Sequence, residues 1–231
     1  MVQKSVEQIA AIRLEAFAAI QEKFVPSTIA LEYIRATYPA FQDFWLFRRT
    51  LSYNLSALTF MTYILYMNGR YPHKLSISRS TGQVWGSELI PAMAGVKPVF
   101  HNPEPVPFRF TPNMQTLLGP LATEGIFAPA IMAIARCLTE PEGEMDMQLS
   151  LFIRDEINFW YTQQHRQSVG DGQLKESVQY NVDQIVRRTV SMAQPPAAGN
   201  LPANQTVVDL VAQAVHPSKL SQCDPLWMAY L

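Results

Sequence analysis

Between Arg49 and Arg70 the chain runs for twenty residues, TLSYNLSALTFMTYILYMNG, without a charged side chain. Such a run limits the possible folds sharply, because it is long enough to cross a bilayer and too apolar to lie on a wet surface. Its polar residues decide between the two environments left. Ser52, Asn54, Ser56, Thr59 and Thr62 are spread along the run, a pattern expected of a central helix enclosed by protein on all sides. The chain is large enough to enclose it, with 231 residues, 48% of them apolar.

The remaining segments predict a mainly helical protein around that centre. Residues 4–24 place Ile9, Ile12, Phe17, Ile20 and Phe24 toward one side of a helix that ends near Pro26. Ser27 or Thr28 is positioned to cap a second helix reaching Tyr38, and Pro39 to open a third that continues to Met67. KLSISRSTGQV then alternates Leu75, Ile77 and Val84 with polar residues around a Thr81-Gly82 turn, the signature of a short hairpin. Residues 91–112 hold seven prolines or glycines and predict an irregular loop. Further helices are expected over 113–118, 124–138, 145–166 and 174–193, with a turn at 168–173. A proline-rich linker from Gln194 should then lead to a last helix and an aromatic tail.

Charge and cysteine content exclude several classes. With 18 basic and 19 acidic residues the net charge is −1, so no overall field draws nucleic acid or anionic lipid. Cys137 and Cys223 stand far apart and outside any CxxC spacing, which fits a reducing compartment and argues against zinc. The acidic residues Glu7, Glu15 and Glu22 do not suit a signal or transit peptide. His101, His165 and His216 have no metal spacing, Gly170 and Gly172 make no phosphate loop, and no GxGxxG or Walker pattern occurs. His73 reads as a solvent-facing loop residue rather than a displaced catalytic histidine. Arg187 and Arg188, with Lys175, read as a solvated helix face rather than a phosphate site.

The segment LSYNLSALTFMTYILYMNGRYPHKLSISRSTGQVWGSEL resembles the kinase C-lobe of the phosphatidylinositol-3-kinase-related kinases, in which a long apolar helix leads into Gly-Asp-Arg-His, an Asn, a hairpin and an Asp-Phe-Gly turn. VPFRFTPNM resembles the end of their activation segment, and LSQCDPLWMAYL their FATC tail. VPSTIALEYIRATYPAFQDFWLFRRTLSYNLSALTFMTYIL, PVPFRFTPNM, IMAIARCL and IRDEINFWY together are similar to the C-terminal region of the transformation/transcription domain-associated protein family, fungal counterparts included, whose kinase domain is a pseudokinase. The resemblance implies a kinase-like C-lobe over 1–193, a linker over 194–204 and a FATC tail over 205–231.

The same resemblance places Gly69 where the catalytic Asp is expected, Tyr71 where the His is, Lys74 where the metal-binding Asn is, and Glu88 where the metal-binding Asp is. Kinases hold magnesium on the phosphates with such oxygen ligands and place a base beside the acceptor hydroxyl. Neither Gly69 nor Tyr71 supplies that base at neutral pH, and its loss costs roughly a hundred- to ten-thousand-fold in rate. A Lys74 ammonium about 4 Å from a dication is repelled by at most about 8 kcal/mol at an effective dielectric of about 20. Glu88, the one acid between Asn68 and Met93, does not make a magnesium site alone.

The resemblance therefore implies a non-catalytic scaffold without cofactor. By it, the chain is the C-terminal piece of a far longer nuclear subunit of SAGA-type and nucleosomal histone acetyltransferase coactivator complexes. Its expected partners are the other subunits and, through the full-length protein, transcription activators, with no direct nucleic-acid or membrane contact. The alternatives are an active protein or lipid kinase fragment of the same superfamily and, more remotely, a membrane-peripheral module using the tail aromatics. Trp227, Tyr230 and Leu231 carry too much apolar surface to leave in water, so the tail is expected to fold back onto the lobe.

Overall fold

The computed structural model describes residues 6–94, 98–119, 123–140, 144–165, 171–195 and 204–231. Among these the protein is mainly α-helical, with one two-stranded sheet. The uncharged run forms most of α3 (Phe41–Ile64), the helix around which the others gather. Leu51, Leu55, Phe60 and Ile64 are buried against α5 (Ala128–Thr139) and α8 (Asp171–Ala193) in one continuous core. Its hydroxyls survive burial by bonding to the helix itself. Ser52 Oγ donates to Arg48 O at 2.8 Å, Thr62 Oγ1 donates to Thr59 O at 2.9 Å, and Ser56 Oγ lies 2.6 Å from Ser52 O and 3.1 Å from Phe127 O. No helix among the described residues is long and apolar enough to cross a membrane.

α3 ends sooner than expected, at Ile64 rather than Met67. Tyr66 turns the chain with φ of 54°, left-handed backbone that a bulky residue adopts only when its surroundings enforce it. The enforcing group is Arg188 of α8. Its guanidinium carbon lies 3.5 Å from the Tyr66 ring centroid and 4.4 Å from that of Tyr63, and Nη1 donates to Tyr63 O at 2.6 Å. Arg188 is thus a partly buried tie between helices and not a solvated charge, whereas Arg187 is exposed.

Other helix starts were also set by distant partners. α2 (Ile29–Thr37) has Thr28 at its N-cap, but the hydroxyl caps nothing. Asn113 does so instead, its Oδ1 accepting from Ala30 N at 3.2 Å. Pro39 lies outside α3, which starts at Phe41, two residues later than expected. In α1 (Val6–Lys23) the expected stripe contracts: Phe17 is buried while Ile9, Ile12 and Phe24 are exposed, because α1 meets the tail on a narrow front at α10 (Pro217–Leu220).

The hairpin forms as expected from β1 (Leu75–Ile77) and β2 (Val84–Gly86), antiparallel with Ser76 opposite Trp85. Gly82, φ 75°, lets its turn sit on α3: a Cβ there would lie 2.5 Å from Phe47 O. α4 (Pro112–Leu118) closes the long loop. The expected 124–138 helix starts at Ala128 after a wide turn broken at Gly125. The expected 145–166 helix is divided into α6 (Glu144–Phe152) and α7 (Asn158–His165) by a π turn at Ile153–Ile157. The expected linker lies largely outside the described residues. Of the expected turn at 168–173, residues 171–173 are already helical, so α8 starts at Asp171, three residues earlier than expected, because Asp171, Gly172 and Gln173 continue the helical backbone of the segment that follows. At the linker's end, Asn204 is a buried tie: its Oδ1 caps α9 (Gln205–Val215) at Val207 N, 3.0 Å, and its Nδ2 donates to Ser191 O and Gln194 O. α9 then adds Val207, Val211 and Ala214 to the main core.

Candidate functional site

The turn after α3 and the hairpin enclose a cleft with about 520 Å³ of free space, its open mouth included. Gly69, Tyr71, Lys74 and Glu88 all line it, so the fold brings together the four residues singled out by the resemblance. Gly69 has φ of 61° and is held from outside the motif: its N donates to Glu104 Oε1 at 2.7 Å. Arg70 pairs with the same carboxylate and donates to Pro107 O at 2.8 Å. Glu104 is the residue that sequence reasoning missed here. Its one signal is that it is the sole acid from Leu89 to Thr123.

Tyr71 stacks on His73 with ring centroids 5.7 Å apart, and His73 is exposed. Lys74 Nζ lies 2.5 Å from Glu88 Oε2. The hydrogen bond and charge of Lys74 hold the Glu88 carboxyl below its ordinary range. Glu88 has φ of 54° and a side chain 62% exposed. Its backbone conformation is therefore unusual while its carboxylate stays wet. Among the described residues lining the cleft Glu88 is the one acid, and nowhere among the described residues do three metal-ligating side chains cluster.

A second construction joins the cleft to the chain end. Arg109, in the segment before α4, is 7% exposed, and burial pushes its guanidinium down to about 10, still charged at neutral pH. It donates to Trp227 O at 2.5 Å, Leu231 O at 3.1 Å, Met228 O at 3.3 Å and, on the cleft side, Arg70 O at 3.2 Å. Its carbon also stands 4.5 Å over the Trp227 ring. Asn113 Nδ2 adds a bond to Tyr230 O at 2.8 Å. Trp227 is 1% exposed and packs with Phe17, Val106, Leu220, Cys223 and Ala229. Tyr230 is partly buried, but the Leu231 side chain is 39% exposed, so the last residue is held by its backbone and not by its side chain. Sequence patterning pointed to none of this for Arg109 or Asn113, because a polar residue in a loop reads as solvated until its partners are known.

The two cysteines differ accordingly. Cys137 is exposed, whereas burial and the Glu104 charge push the Cys223 thiol up to about 12. At pH 8 roughly one Cys223 in ten thousand is then thiolate, the form that reacts. Brief treatment of the native protein with iodoacetamide at pH 8 should modify Cys137 and spare Cys223, as read by peptide mass spectrometry. Equal labelling would mean that the tail is not packed as described.

Residues 2–162 match the family of phosphatidylinositol 3- and 4-kinases, and residues 200–231 the FATC domain. The SAGA complex/NuA4 acetyltransferase complex subunit Tra1 of Schizosaccharomyces pombe is 44% identical over 225 residues, 97% of this chain and 6% of that protein. The transformation/transcription domain-associated protein of Homo sapiens is 28% identical over 224 residues, 92% of this chain and 6% of that protein. The chain thus spans about 6% of the length of these relatives. Among solved structures, the FAT and kinase domain of CtTel1 superposes with a TM-score of 0.65 at 19% identity, covering 96% of this chain and 15% of that one. That likeness concerns the fold alone.

Proposed function

This chain belongs to the phosphatidylinositol 3- and 4-kinase family, in the related-kinase branch that carries a FATC domain, and from that premise we propose that it is the kinase-like lobe of a non-catalytic scaffold subunit. The Lys74–Glu88 ion pair is the observation that carries the reading. In a kinase the two corresponding positions are bridged by magnesium; here an ammonium group serves one of them and bonds directly to the carboxylate at the other. A side chain has taken the cation's place. With Gly69 at the position of the catalytic Asp, the cleft has neither a base nor a paired metal site.

The names of the relatives supply the biological setting. Two of them are subunits of the SAGA and NuA4 acetyltransferase complexes, so the full-length protein is assigned to a histone acetyltransferase coactivator complex in the nucleus. Its partners there are the other subunits and the transcription activators that recruit the complex. In this setting the lobe and its tail form one rigid element through Arg109 and α9.

Calorimetric titration of the full-length protein with ATP, with and without magnesium, tests the reading. No magnesium-dependent binding is expected. A magnesium-dependent Kd at the roughly micromolar level, with phosphate transferred to any substrate, would return the protein to the active kinases.

A further inference from the structure

α1 carries a seam that the tail leaves uncovered. Val6, Ile9, Arg13, Ala16 and Ile20 follow one another at steps of three, four, three and four residues, the spacing with which one helix faces another. Phe17, beside the seam, is the one buried residue of α1. Val6, Ile9, Arg13 and Ala16 are exposed, and Ile20 is half-buried. Glu7, Glu15 and Glu22 stand on other faces of the helix, so Arg13 is the single charge within the seam.

Toward its C-terminal end the seam runs into an open pocket of about 210 Å³ between α1 and the tail. Ala16, Phe17 and Ile20 form one wall, and Leu220, Pro225 and Ala229 the other. An apolar cavity of about 150 Å³ already accepts a benzene ring, so this one has room for a large apolar side chain. Arg13 also lines the pocket and makes no ion pair among the described residues; its Nη1 donates to Gln222 O over a long 3.4 Å. Asp224, the acid lining the same pocket, is turned to capping: its Oδ1 accepts from Leu226 N at 2.8 Å. The guanidinium fork is therefore open to a carboxylate from outside.

We infer that this groove docks an α-helix of another protein, with apolar residues at heptad spacing along the seam, one of them large enough to enter the pocket, and a Glu or Asp opposite Arg13. A helix fits because its side chains recur at the steps of the seam. The acid is required because covering the seam takes Arg13 out of water, and a guanidinium buried without a partner is strongly destabilising. A second copy of this chain fits badly. Arg13 stands midway between Val6 and Ile20, so full overlap of two α1 helices, in either direction, sets it against its own like charge.

The probe is a fluorescein-labelled synthetic helix of three heptads, used below the concentration at which it self-associates. It carries leucine along its seam, with one phenylalanine for the pocket and one glutamate to face Arg13. Fluorescence anisotropy with the full-length protein should show saturable binding. Arg13→Glu should weaken it about tenfold or more, and a second peptide with lysine in place of the glutamate should restore binding to that variant. Ile9→Glu should abolish binding, whereas Ala18→Glu, at an exposed position on the opposite face of α1, should leave it unchanged. Arg13 is exposed, so its reversal and rescue remain decisive should Ile9→Glu fold poorly. An Arg13→Glu variant that binds as before, or a lysine peptide that restores nothing, would overturn the inference. So would the absence of saturable binding, whether the seam then proves to be covered by a second copy, seen as a dimer in sedimentation, or by the protein's own chain, seen as a lowered Tm in Ile9→Glu.

Discussion

Replacing Trp227 by Ala is expected to loosen the tail by roughly 3–5 kcal/mol, the cost of truncating a large aromatic in a packed interior. The indole is 1% exposed and fills the space between Phe17 of α1, Val106 of the long loop and Leu220 of α10. Alanine leaves a cavity there, since three separate elements cannot all collapse onto it. It also removes the ring beneath the Arg109 guanidinium, leaving that buried charge with carbonyl dipoles alone. Leu226→Ala is the control: the neighbouring side chain is 70% exposed, and its loss should change stability by less than about 0.5 kcal/mol. Hydrogen exchange in the full-length protein gives the measurement. Amides of residues 225–231 that are protected in the natural sequence should exchange far faster in Trp227→Ala and unchanged in Leu226→Ala. Equal, peptide-like exchange in all three proteins would show that the tail is not docked.

Arg109→Met is expected to cost about as much, roughly 3–5 kcal/mol, for a different reason. Four carbonyl oxygens, those of Arg70, Trp227, Met228 and Leu231, lose a charged donor together. Each buried acceptor left unsatisfied costs about 1–3 kcal/mol. The sum is not reached, because methionine removes the desolvation penalty of a buried guanidinium and because acceptors near the chain end regain water. Arg109→Lys discriminates between charge and geometry. A lysine restores the charge but not the planar fork that reaches several carbonyls at once, so it should recover less than half of the loss. Thermal denaturation of the full-length protein, with exchange at Met228 and Tyr230 as the local readout, measures both variants. Full recovery by lysine would mean that the site reads charge alone.

Both variants act at a distance from their own segment, and the same property limited what patterning revealed. The twenty-residue uncharged run marked the core helix, with Leu51, Leu55, Phe60 and Ile64 buried. The expected enclosure on all sides is not reached: Tyr53 and Met61 of the same run are exposed, because the other helices cover only part of its circumference. Leu75, Ile77 and Val84 around Thr81-Gly82 determined the hairpin in its observed place. The glycine at 69 and the lysine at 74 carried, by resemblance alone, the expectation of a loop without a catalytic acid. These features are local: spacing along the chain and residue type are sufficient, since a helix or strand repeats within a few residues.

The boundaries and the ties were decided by tertiary structure. α3 stops at Ile64 because Arg188, 122 residues beyond Tyr66 in the sequence, stacks on the turning tyrosine. α2 is capped by Asn113 from across the molecule, and Thr28, the better local candidate, is not used. Lys74 and Glu88 could be named from the sequence, but only the hairpin brings one against the other. Glu104 holds Gly69 from 35 residues away, and Arg109 holds Leu231 from 122. A charged side chain reaches several ångströms in any direction, and its partner is whichever opposite group the finished fold brings within reach. The sequence by itself determined where most of the helices run and which of them lies at the core. Which acid meets which base, and what the tail leans on, became definite only once the intervening chain had closed.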